Sequence, residues 1–87
     1  MKGWHGNLAE GHFTKKSTDF GVFIHQITED DGQTRVGWRV RDKDGREIAR
    51  FGVDELEKAV ARANYEYVAQ LSQALVDLGY LVIGATP

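Results

Sequence analysis

Six cationic side chains crowd into one stretch of this chain: Arg35, Arg39, Arg41, Lys43, Arg46 and Arg50. Guanidinium groups present paired N–H donors that match phosphate and carboxylate oxygens and the acceptor edge of guanine. Such a cluster is a candidate grip for nucleic acid or for an acidic protein surface. The alternation in Thr34-Arg-Val-Gly-Trp-Arg-Val-Arg41 predicts a half-buried strand, with Val36, Trp38 and Val40 on one face and Arg35, Arg39 and Arg41 on the other. Arg50 is expected on the arginine side, and Lys43 and Arg46 extend that side through a turn. The plainer reading is that water-facing strand positions often carry arginine held by neighbouring acids, here Asp42, Asp44 and Glu47. The charge is nonetheless unevenly spread. Six of the eleven Lys/Arg but only three of the thirteen Asp/Glu fall within residues 33–50, on a chain of net charge −2.

Other chemistry finds less support. His5, His12 and His25 show no helical ligand spacing, and the absence of cysteine removes disulfides, thiolate zinc sites and thiol nucleophiles. Ser17 and Ser72 are the only serines and neither sits in a nucleophile elbow; no glycine-rich phosphate loop is present. The acid clusters Glu29-Asp30-Asp31 and Asp54-Glu55-Glu57 have structural reasons, as a turn and a helix start. The expectation is a non-catalytic protein without metal or cofactor.

The elements that must position the arginines read as α+β. At 87 residues, with 41% hydrophobic and 28% charged side chains, the chain is expected to form one domain, 1–87. Residues 1–17 carry Trp4, Leu8 and Phe13 among glycines without period, predicting an irregular arm. Residues 20–52 predict a three-stranded antiparallel meander, punctuated by Asp31-Gly32 and Asp44-Gly45, because Asp-Gly between alternating runs favours a hairpin. Parity across the second hairpin groups Trp38 and Val40 with Ala49 and Phe51. The first hairpin leaves two registers open: Phe23, His25 and Ile27 join Trp38, or Val22 and Ile24 do. Both faces of that strand are apolar, so the arm is expected to cover the face away from the helix.

A long helix is predicted over 54–78, with Asp54 and Glu57 as a capping box, Gly79 after its end, and Leu56, Val60, Ala63, Tyr67, Leu71, Ala74 and Leu78 as its inner stripe. Residues 80–84 predict a short fourth strand. Such a helix spans about 36 Å against about 23 Å for a seven-residue strand, so it should overhang the sheet. Beside the inner stripe runs an uncharged strip including Tyr65, Val68, Ser72 and Val76. It is either covered by the arm or the final strand, or is an interface for a homodimer or another partner.

A three-stranded sheet followed by a helix, over residues 22–78, resembles in topology the N-terminal DNA-binding domains of tyrosine recombinases, which implies a nucleic-acid role for the sheet. In size and architecture the chain is similar to stand-alone phage inhibitors such as anti-CRISPR proteins. The leading expectation is a regulator or inhibitor that occludes a macromolecular partner, most often a protein; a nucleic-acid-binding sheet is the alternative. The opening residues lack the apolar run of a signal peptide, and no stretch is apolar enough to span a bilayer, so the expected location is cytoplasmic.

Overall fold

The computed structural model describes residues 3–79, which form a five-stranded antiparallel meander followed by one helix. The strands are β1 (His5–Asn7), β2 (His12–Lys16), β3 (Gly21–Thr28), β4 (Arg35–Arg41) and β5 (Glu47–Gly52), lying in the sheet in chain order, and α1 runs Leu56–Asp77. The α+β architecture and the meander on one long helix are as expected. The irregular arm is not: it supplies β1 and β2, which widen the sheet from three strands to five. Glycine-rich sequence hid these strands because its hydrophobic period is broken, although Gly6, at φ 109°, lies directly opposite Phe13. The strand expected at 80–84 lies outside the described residues.

Both Asp-Gly turns form, for a reason local to each. Gly32 and Gly45 adopt φ of 71° and 82°, a region costly for residues with a Cβ. The preceding carboxylates tie the turns: Asp31 accepts from the backbone N–H groups of Gln33 and Thr34, both at 2.8 Å, and Asp42 from those of Asp44 at 2.9 Å and Arg46 at 3.0 Å.

The core lies between one sheet face and the helix. Phe13, Val22, Ile24, Trp38 and Val40 from the sheet are buried against Ala59 and Ala63. Those two alanines let the helix backbone approach the sheet closely, while Leu56, Val60 and Tyr67 flank them. Gln26 pairs with Trp38 and Ile24 with Val40, so Val22 and Ile24 take the inner positions and Phe23, His25 and Ile27 point away. The arm packs on the helix side, through Phe13 and the half-buried Trp4, and leaves the opposite face open.

Polar contacts then fix the helix. Gln70 mimics a strand edge: its Oε1 accepts from Gly21 N–H and its Nε2 donates to the Gly21 carbonyl, each at 2.9 Å. Lys15 Nζ donates to Asn64 Oδ1 at 3.3 Å and lies 5.7 Å from the Trp4 ring centre and 5.3 Å from that of Tyr67.

The expected capping box at Asp54 does not form. Glu55 occupies the N-cap position without a side-chain cap, because a turn with Glu55 N–H bonded to the Gly52 carbonyl at 2.9 Å delays the first helical residue. The Glu55 carboxylate instead accepts from Gly52 N–H and from Lys58 Nζ, each at 2.7 Å. At the other end, Gly79 at φ 81° terminates the helix as expected. The inner stripe holds only in the first half: Leu71 is already 38% exposed and Leu78 70%. Leu75, at 44%, is exposed between them.

Candidate functional site

The face of the sheet opposite the helix carries the candidate site, and cross-strand pairing lays its side chains out in transverse rows. One row runs Asn7, His12, His25, Arg39, Arg50 from β1 to β5; the next runs His5, Thr14, Phe23, Arg41, Glu47. Directly opposed residues share a face, so these ten side chains emerge on one side. The His12 and His25 rings meet edge to face with centres 6.3 Å apart. A shallow depression of about 380 Å³ opens here, bounded by His12, Thr14, Phe23, His25 and Arg41.

Two β-bulges decide which charges reach this face. Thr28 pairs with Arg35 while Ile27 pairs with Gly37, leaving Val36 as an extra residue. The shift carries Arg35 off the arginine face and onto the Trp38 side. There its Nε donates to Gln26 Oε1 at 2.9 Å, its terminal nitrogen donates to the Leu8 carbonyl at 2.6 Å, and the guanidinium lies 4.6 Å from the Trp38 ring centre. The expected grouping of Arg35 with Arg39, Arg41 and Arg50 is therefore corrected: Arg35 clamps the β1–β2 turn to the core edge. The second bulge inserts Ile48, so that Val40 faces Ala49 but Arg41 faces Glu47. Ile48 turns toward the core and Glu47 joins the open face.

Glu47 consequently sits among arginines. It bonds Arg50 Nε at 2.8 Å and lies 3.8 Å from Arg39 Nε. The Arg50 hydrogen bond is the main reason its carboxyl is held below the usual range, with the charges of Arg50, Arg39 and Arg41 acting in the same direction. Arg39 Nε is shielded from solvent and has no hydrogen-bond partner among the described residues. His25 is pushed below its ordinary value first by burial, then by Arg41, His12 and Arg39.

The turn cations diverge from this cluster. Arg46 is exposed in the β4–β5 turn, and Lys43 lines a groove with Phe20, Gln70, Gln73 and Asp77 beside the helix. Three of the six predicted cations, Arg39, Arg41 and Arg50, thus come together on the open face. His12, Thr14 and Phe23 join them unforeseen; the register that sends Phe23 outward with His25 could have found Phe23, whereas His12 and Thr14 lie on β2, in the stretch read as an irregular arm.

The helix strip is the second candidate. Tyr65 is 72% and Val68 59% exposed, while Ser72 and Val76 are half-buried. Tyr65, Val68, Ala69, Ser72 and Gln73 bound a shallow groove along it. Arg62 lies 5.5 Å from the Tyr65 ring centre.

Among the described residues, no group of three or more His, Asp or Glu converges as a metal site would require, and no helix is long and apolar enough to cross a membrane. Comparison of the chain with protein-family models, curated proteins and solved structures finds no match in any of the three.

Proposed function

We propose that this protein is a non-catalytic binding module, a regulator or inhibitor that works by occluding a macromolecular partner through the open face of its sheet. The observation that carries this reading is the cross-strand convergence of Arg39, Arg41 and Arg50 around a single acid, Glu47, on the face the helix leaves uncovered. Three guanidinium groups against one carboxylate leave an excess of donors and positive charge. Phe23 and Ile27 add half-buried apolar surface beside them. A rigid sheet holding such groups in fixed register loses little conformational entropy on contact, which favours recognition by shape and charge.

The test is affinity capture from the source organism with the full chain as bait, compared with a bait carrying Arg39→Glu and Arg50→Glu. A partner retained by the wild type and lost by the folded variant supports the reading. Retention of the same partner by the variant assigns the contact to another surface and ends it.

A further inference from the structure

We infer that the open sheet face binds single-stranded nucleic acid, with the strand lying across the β-strands, its phosphates on Arg39, Arg41 and Arg50 and a base against Phe23. This rests on the proposed use of that face and specifies the partner. Charge selects a polyanion: Arg39, Arg41 and Arg50 stand around one carboxylate, Glu47, on this face. Guanidinium groups bond phosphate oxygens in pairs, so three of them in cross-strand register on a flat surface fit a phosphodiester backbone.

Geometry selects a single strand over a duplex. Five strands spaced by about 4.8 Å set the outer two about 19 Å apart, whereas the major groove of B-form DNA is about 12 Å wide, the size of an α-helix or a two-stranded ribbon. A broad sheet face cannot enter it. An unpaired strand can lie across such a face, as antiparallel sheets bind RNA by stacking two or three splayed bases on surface aromatics. Here Phe23 occupies that role at the centre of its row, between Thr14 and Arg41, with the His12–His25 ring pair one row away. Thr14 offers a hydroxyl for a sugar or base edge.

Glu47 is the one acid in the two rows of this face, with Asp42 and Asp44 in the adjoining β4–β5 turn, and many of the other acids lie elsewhere. Glu55, Glu57, Glu66 and Asp77 belong to the helix or its start on the far side of the sheet, and Glu29, Asp30 and Asp31 to one turn. A net charge of −2 is thus compatible with a cationic face, and it predicts moderate rather than tight binding.

The experiment is fluorescence anisotropy of a labelled 12-nucleotide single strand of mixed sequence, as DNA and as RNA, and of the matching duplex, titrated with the full chain. Binding to the single strand is expected, falling about 20-fold between 50 and 200 mM salt, as release from about three phosphates requires. Arg41→Glu should weaken it more than about tenfold at 50 mM salt. Phe23→Ala should weaken it about tenfold without changing the salt slope, which separates stacking from charge. Circular dichroism confirms that each variant is folded; if Phe23→Ala does not fold, Phe23→Leu replaces it. Equal affinity for the duplex with no effect at Phe23 overturns the single-strand assignment. No binding at 50 mM salt overturns the nucleic-acid partner altogether. The broader reading then stands or falls on the capture experiment, where a nuclease-resistant protein partner lost with Arg39→Glu and Arg50→Glu would keep the face and change its ligand.

Discussion

The two faces of the sheet are built from the same strands and the same alternation, yet they use opposite physics. The inner face buries Val22, Ile24, Trp38 and Val40 against Ala59 and Ala63, so its contribution is removal of apolar area from water. The outer face keeps His12, His25, Arg39 and Arg50 in a solvent-reached row, where ion pairs contribute little to stability and much to recognition. Stability and binding are thereby assigned to alternate residues of one strand. β4 carries both, with Trp38 and Val40 inward and Arg39 and Arg41 outward.

That contrast breaks most clearly at Trp38. Removing a ring that is 1% exposed leaves a cavity and orphans the bond from its Nε1 to the Val53 carbonyl. Trp38→Ala should cost about 3–5 kcal/mol in urea unfolding, a large part of the stability of a small domain. A loss below about 1 kcal/mol would show that the inner face is not the core.

A smaller effect sharpens the division between Arg35 and the arginines it was grouped with by sequence. Arg35→Ala removes two hydrogen bonds and a guanidinium over the Trp38 ring, and roughly 1–3 kcal/mol should go with them. Arg41→Ala, on the open face, should change stability by less than about 0.5 kcal/mol while weakening partner binding. If both variants behave alike in chemical denaturation, the bulge at Val36 does not separate their roles.

The smallest expected effect is a pH dependence at the outer row. Because His25 titrates below its ordinary value of 6.5 in the folded state, the unfolded chain takes up a proton first as pH falls. The stability His25 contributes is full above that ordinary value and is lost as pH falls through the depressed folded one. Thermal melts between pH 7.5 and 5 should show this decline, and His25→Gln should flatten it. An unchanged slope in His25→Gln would place the acid sensitivity on the carboxylates. Those of Glu47 and Glu55 are held low by hydrogen bonds from Arg50 and Lys58, and their contribution is lost only further into acid.

Local sequence settled much of this protein. Asp31-Gly32 and Asp44-Gly45 placed two turns because a carboxylate can close the turn and a glycine can take positive φ. The alternation around Trp38 placed β4, and the apolar stripe from Leu56 placed the helix. These signals act within a few residues, where steric and hydrogen-bonding preferences need no knowledge of the remaining chain.

Tertiary structure decided the rest. Whether Phe23 or Val22 faced the helix depended on pairing across the first hairpin, and the bulges at Val36 and Ile48 moved Arg35 inward and Glu47 outward with no mark in the alternation. A bulge is set by how neighbouring strands twist and pack, so parity counted along one strand cannot see it. The same holds for β1 and β2, which read as an irregular arm until β3 offered β2 a partner and β2 offered one to β1. The arginine face was therefore legible as a composition; only the assembled sheet decided that Arg39, Arg41 and Arg50 meet there with His12, His25 and Phe23.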